Sequence, residues 1–272
     1  PYWAGVNAVV ESMRNVAAVG ATPHALTDCL CFGNPEKENQ MWEFVESVKG
    51  IKDACNAITL KHNPEYPTPI IAGNVSFYNE SKNGSIPPSP IVSCLGKIND
   101  VNDCIGMDFS LTGSNIIMVG KRKSELGGSA FYHLHNELGS TLPKPDLQEV
   151  KNQIHALTDC IDKNLVLSCH DIADGGIAVA LTEMTFKNKI GCNVSIESNL
   201  KTDEILFSET GGFILEVGDE NINDIVRCFS DYGIEVFMIG KTVKSNIIIN
   251  DEINISIEQS YDAWKNGLIN KL

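Results

Sequence analysis

The sequence predicts an α/β chain in two modules that meet near residue 112. Two observations carry this reading. Short apolar runs rich in β-branched residues, such as 69–73, 91–98, 115–120 and 213–217, alternate with longer segments whose apolar residues recur at helical spacing. Between Asn99 and Ser114 the chain turns polar, with Asp100, Asn102, Asp103 and Asp108, and the periodicity disappears. At 272 residues there is enough chain for a real core on each side of that break.

Taken in order, Val6, Val9, Val10, Met13, Val16 and Ala17 mark a helix that Gly20 ends. The run 25–32 is a strand closed by the turn Gly33-Asn34-Pro35, and Met41, Phe44, Val45, Val48, Ile51 and Ala54 mark a second helix that ends near Leu60. Residues 61–68 read as a surface loop, 69–73 as a buried strand, 81–90 as a proline-rich connection and 91–98 as a further strand. In the second module, strands at 115–120, 165–169, 193–196, 213–217 and 235–239 alternate with helices. Asp146 caps the longest of those helices, and glycine-marked turns at Gly127-Gly128 and Gly175-Gly176 launch two others. The result is a sheet covered by helices.

Composition excludes several classes. With 43% hydrophobic and 21% charged residues the chain is neither disordered nor, lacking an apolar run of about 20 residues, membrane-spanning. Thirty-five acids against 21 bases give a net charge of -14, which repels nucleic acid and anionic lipid, so a phosphate-bearing small molecule has to be held by local features. Nine cysteines without a C-x-x-C pair read as reduced thiols of a cytoplasmic protein. The opening Pro1-Tyr2-Trp3, with no initiator Met or leader, reads as an internal start.

Three strand tips carry polar groups in apolar surroundings. Gly73-Asn74-Val75-Ser76 ends an apolar run: a glycine lets backbone approach a phosphate, an Asn carbonyl is a hard donor for Mg²⁺, and a Ser hydroxyl can bond a substrate. A strand entering a turn accounts for the same residues. Asp28 lies inside 25–32, where a carboxylate needs a partner; with Asn74 it would suit a nucleotide-bound Mg²⁺, and as a turn cap it would serve structure alone. His170-Asp171 with Asp174 suits a phosphate, a metal or a loop-locking hydrogen bond better than a catalytic dyad, because neighbours on a strand point to opposite faces. Gly127-Gly128-Ser129 offers N–H groups to a phosphate, and His24, His62, His133, His135 and His155 read as surface or structural residues.

Four stretches taken together are specific: Ala21 to Glu36 with Thr27-Asp28-Cys29-Leu30-Cys31-Phe32-Gly33-Asn34-Pro35, Gly73 to Glu80, Glu125 to Ser129, and His170-Asp171-Ile172-Ala173-Asp174-Gly175-Gly176. They resemble the phosphoribosylformylglycinamidine synthase family, within the aminoimidazole ribonucleotide synthetase superfamily, over essentially the whole chain. The resemblance implies the second half of a ligase built as two fused copies. In that ligase ATP and Mg²⁺ activate the amide oxygen of formylglycinamide ribonucleotide, and ammonia from glutamine displaces phosphate. It implies a half-barrel amino-terminal module over 1–111 and a helix-covered sheet domain over 112–272. Asp28 and Gly73 would contact ATP, Asn74 would bind Mg²⁺ and Ser76 would touch substrate. The catalytic histidine and acidic metal ligands would lie in the first copy, leaving no catalytic residue in this chain. His170, Asp171 and Asp174 would line a second, non-catalytic nucleotide pocket. Implied partners are the first half of the synthetase, a glutaminase subunit and a small bridging subunit, in a dimer or heteromer. Phe207 to Phe213 departs from the family's arginine-bearing version. Selenophosphate synthetase-like or thiamine-phosphate kinase-like enzymes are alternatives, which Thr27 to Glu36 disfavours, and a non-catalytic docking module is another.

Overall fold

The computed structural model describes residues 1–269. The first helix, α1 (Tyr2–Ala18), buries Val6, Val9, Val10, Met13 and Ala17 along one stripe, as its spacing predicts. Strand β1 (Thr22–Cys31), helix α2 (Glu38–Ala57), the hairpin β2 (Thr59–Leu60) and β3 (Asn63–Pro67), and strand β4 (Ile70–Ser76) follow. A second small hairpin, β5 (Glu80–Ser81) and β6 (Gly84–Ser85), leads into β7 (Ser89–Lys97). The segment read as a surface loop therefore holds β3, and α2 stops at Ala57 rather than near Leu60.

These strands form a three-stranded sheet in the order β4-β1-β7, with β1 parallel to β4 and antiparallel to β7. The half-barrel expected for the first module is not present: among the described residues no sheet closes, and β4 and β7 are each paired on one side only. Closure needs on the order of eight tilted, staggered strands, which three cannot supply. The buried strand expected at 69–73 is likewise an exposed edge, with Ile71 60% and Val75 47% accessible. Helix α1 packs over β7 and β1 and leaves β4 uncovered.

The second sheet has seven strands in the order β14-β13-β10-β12-β8-β11-β9. Its elements in chain order are β8 (Asn115–Val119), α3 (Ala130–Leu134), α4 (Leu147–Asp162), β9 (Ser168–Asp171), α5 (Gly176–Glu183), β10 (Gly191–Val194), α6 (Thr202–Phe207), β11 (Phe213–Val217), α7 (Ile222–Asp231), β12 (Val236–Val243), β13 (Ile247–Ile249), β14 (Ile253–Ile255) and α8 (Ile257–Asn266). Asp146 caps α4 as expected, accepting from the N–H groups of Gln148 and Glu149. Period-2 alternation splits β8 between two cores: Ile117 and Val119 join α1, α2, α4 and α7, while Ile116 and Met118 join α5, α6 and Ile257 of α8. The first of these cores is continuous from α1 and β1 into β8 and β11. No helix among the described residues is long and apolar enough to cross a membrane.

One close helix crossing and one buried carboxylate set how the elements pack. Helices α1 and α2 meet where neither has a side chain in the way: a Cβ on Gly5 would strike the carbonyl of Ser47, and one on Gly50 would strike that of Tyr2. Glu216 on β11 is fully buried. Its carboxylate accepts from the N–H groups of Ser110 and Leu111 at 2.8 Å, and from the hydroxyls of Ser110 at 3.0 Å and Ser168 at 2.8 Å; the Ser114 hydroxyl lies 2.7 Å away. The polar stretch that reads as a boundary is thus pinned to the second sheet by one carboxylate. Glu216→Ala strands several buried donors and is expected to cost about 3 kcal/mol or more in urea unfolding, with Glu216→Gln in between. A loss under about 1 kcal/mol would show that water or a neighbour replaces the carboxylate.

Candidate functional site

Asp28 and Gly73 are register partners on β1 and β4. The Asp28 carboxylate lies directly over the Gly73 backbone, since a Cβ there would sit 2.6 Å from Asp28 Oδ1. Only glycine admits that approach. Burial raises the Asp28 pKa, and a hydrogen bond from the Asn74 backbone opposes the rise. Asn74 pairs with Cys29, and its side-chain Nδ2 is 3.8 Å from Cys29 Sγ. By strand alternation Asp28 with Gly73 and Asn74 with Cys29 occupy opposite faces of the sheet, so one ion is not shared by the Asp28 and Asn74 side chains. Ser76 ends the strand, its hydroxyl 3.2 Å from Asn79 Oδ1, and Asn79 Nδ2 donates to the carbonyls of Phe32 and Ser76, both at 2.9 Å. The turn after β4 is locked to the end of β1. Asp28, Gly73, Asn74 and Ser76 are thereby gathered on two adjacent strands at one free edge.

The second candidate group lies at the other sheet. His170 and Asp171 do meet: His170 Nδ1 is 2.6 Å from the Asp171 carbonyl oxygen and 3.4 Å from Asp171 Oδ1, because the imidazole folds back along its own strand. Its Nε2 is 3.1 Å from Glu183 Oε2, and Glu183 Oε1 accepts from Trp264 Nε1 at 3.0 Å. Burial alone would lower the His170 pKa; the hydrogen bonds and charges of Asp171 and Glu183 outweigh it and raise it to about 9. Both ring nitrogens are engaged, which suits a latch better than a base. Asp174 is exposed nearby.

Sequence reasoning missed the charges around this group. Arg14 of α1 is buried against Gly211, with its Nε unpartnered. Burial lowers its pKa, while Asp171 and Glu11 hold the charge in place. Arg122, also buried, donates to the Gly211 carbonyl at 3.3 Å. Glu209 accepts from the N–H groups of Ala130 at 2.8 Å and Gly175 at 2.9 Å. Those N–H groups belong to the two glycine-launched helices, and the N–H groups of Gly127, Gly128 and Ser129 bond to Thr141, Leu138 and Leu126. The phosphate cradle expected at 127–129 is satisfied from within. Arg14 was visible in principle, because it stands four residues after Val10 and three before Ala17 on a buried stripe. Glu209 left no such signal. Among the described residues no cluster of three His, Cys, Asp or Glu side chains could hold a metal, and all nine cysteines are free thiols, five of them buried.

A family model described as AIR synthase related protein, C-terminal domain, matches residues 112–250, and its N-terminal counterpart matches 1–98. The phosphoribosylformylglycinamidine synthase subunit PurL of Methanothrix thermoacetophila is 38% identical across 98% of this chain and 36% of its own length. The chain therefore spans about a third of that relative's length. Among solved structures, Thermotoga maritima PurL complexed with FGAR superposes with a TM-score of 0.75 at 18% identity, covering 96% of this chain and 43% of that one. The ATP complex of the same protein gives 0.70 at 16%, over 94% and 40%. The PurLQS structure from T. maritima gives 0.69 at 16%, over 93% and 41%. At such identities these structures show a shared fold.

The His170 latch has a pH signature. Its pKa in the folded chain lies above the unfolded value of about 6.5, so its stabilisation is complete below pH 6.5 and is lost as pH rises towards about 9. Urea stability is expected to fall across that window by about 3 kcal/mol at most, with His170→Gln flattening the slope. His155 acts in the opposite range: burial and Lys61 lower it to about 4, so its contribution is lost as pH falls from 6.5. A pH profile between 6.5 and 9 that is identical in wild type and His170→Gln would rule out the latch.

Proposed function

The chain belongs to the AIR synthase related protein family, and from that premise we propose that it supplies part of an ATP-dependent carbon–nitrogen ligase. That ligase converts formylglycinamide ribonucleotide to its amidine in purine biosynthesis. The observation that carries the reading is the placement of Asp28, Gly73, Asn74 and Ser76 on the adjacent strands β1 and β4, in a chain that aligns over 98% of its length with a protein named for that reaction. We read residues 1–111 and 112–272 as its two modules.

Each residue has a chemically suited role. The Gly73 backbone, bare of Cβ, and the Asp28 carboxylate above it can take the hydroxyls and N–H groups of a nucleotide. Asn74 presents an amide to solvent on the open face, and its oxygen is not engaged by any described hydrogen-bond donor. That fits Mg²⁺, which takes one or two protein oxygens and leaves the rest to phosphate and water; no all-protein cage is needed. Bound there, the ion would offset charge on the transferring phosphoryl group. Ser76, held by Asn79, would hydrogen-bond substrate. No residue of this chain is assigned the catalytic base, and the remaining groups are proposed to come from the part of the relatives' length that this chain does not span.

The partner reading rests on the uncovered sheet. Ile70, Ile71 and Val75 of the edge strand β4 and Ile91 and Leu95 of β7, the opposite edge strand, are exposed on this three-stranded sheet. We assign that face to the companion half of the synthetase, with a glutaminase and a small bridging subunit completing the assembly. A second nucleotide pocket beside His170, Asp171 and Asp174 is a lesser part of the proposal. Arg14 and Glu209 already fill its cationic and anionic positions, so a nucleotide there should bind more weakly than at β4.

In enzyme reconstituted with the companion half, Asn74→Ala should leave the melting temperature unchanged and raise the Mg²⁺ midpoint about ten- to hundredfold, the range of a lost charge-assisted contact. An unchanged midpoint would refute the ligand role. The isolated chain is expected to give no amidine with ATP and ammonia. Turnover by the chain alone would overturn the division of the site.

A further inference from the structure

A separate cavity of about 180 Å³ opens at the amino end of β1, with His24 roughly 13 Å along the strand from Asp28. The turn of the β2–β3 hairpin, the end of β7 and the last residue of α4 close it. Four of its eleven lining residues, His24, Lys61, His62 and Lys97, carry basic side chains, and only Asp162 is acidic. In a chain with 35 acids and 21 Lys and Arg residues, that inversion is local. Lys61 is accounted for, since its Nζ lies 2.6 Å from Asp159 Oδ1 and 2.7 Å from Thr158 Oγ1. His24, His62 and Lys97 form no ion pair among the described residues. The two histidines are 38 positions apart in sequence and were unremarkable there; the fold brings them to one hollow with a lysine and the amide of Asn63. A metal is not the match, because no His, Cys, Asp and Glu group of three is in ligand range among the described residues.

We propose that this cavity binds a small oxygen-rich dianion, a phosphate ester or a dicarboxylate, held between Lys97 and the imidazoles of His24 and His62. A lysine ammonium facing imidazole N–H groups suits a compact anion, and a hollow of about 180 Å³ is too small for a polymer segment. The site is distinct from the β4 edge and independent of the ligase reading.

The test is an NMR titration of the 272-residue chain, following the imidazole C–H signals of His24 and His62 with inorganic phosphate and, separately, with succinate at matched ionic strength. Saturable shifts of both signals below about 10 mM are expected. Saturation by phosphate alone assigns the phosphate-ester class, by succinate alone the dicarboxylate class, and by both the shared chemistry. Lys97→Met with His62→Gln should weaken binding about tenfold or more, and Asp162→Asn should tighten it, since it removes the one repelling carboxylate. These side chains are exposed, so the fold is retained. Shifts that never saturate, that potassium chloride reproduces, or that persist in the double variant would overturn the assignment.

Discussion

The structure depends on the burial of α1 by both sheets at once. It packs on α2 and β7 and also on α4 and β9, so one helix supplies apolar surface to two modules that the sequence reads as separate. Each fully buried Val, Leu or Met contributes roughly 1.5–3 kcal/mol, and neither sheet could recover that contact from elsewhere. The close crossing with α2 at Gly5 and Gly50 sets how deeply α1 can sit. The depth in turn carries Arg14 to the Gly211 loop of the second sheet. A packing constraint at one end of the helix thereby fixes an electrostatic one at the other.

Two carboxylates of this chain follow one pattern. Glu216 and Glu209 are each satisfied by backbone N–H or hydroxyl donors rather than by a cation, and both tie a loop to a neighbouring element. Arg14 is held by the field of Glu11 and Asp171 without a direct bond to either. In a protein of net charge -14, carboxylates are plentiful and cations scarce, so backbone donors take over as counter-groups. This is why glycine-rich turns that resemble phosphate cradles are occupied by a side chain of the protein itself.

Much of the fold was legible. Helices α1, α2, α4 and α7 follow from apolar spacing, the Asp146 cap from residue type, and β8 and β11 from short runs dominated by apolar residues. The elements after Val243 were not read, although Ile247-Ile248-Ile249 is a strand signal in plain view. Hairpins with two-residue strands leave no periodicity to read. At the site, Asp28 and Gly73 were each legible as odd residues in apolar runs. Their contact was not, because it depends on a parallel register that sequence spacing does not encode. The same register puts Asn74 on the far face, which separates two residues that composition alone had joined.

Strand β4 is the point at which sequence and structure pull apart most. Its composition is that of a buried strand, yet Ile70, Ile71 and Val75 face solvent, and Ile91 and Leu95 of β7 do the same. A single exposed apolar side chain needs no explanation, but five on one small sheet, beside an unpaired edge, form the kind of surface that folded chains cover. The polar residues proposed for nucleotide and metal lie on the same strand. A partner that covered the isoleucines would therefore also enclose Asn74 and Ser76, and excluding water there would strengthen every charge contact they make. On this reading, assembly and completion of the site are one event.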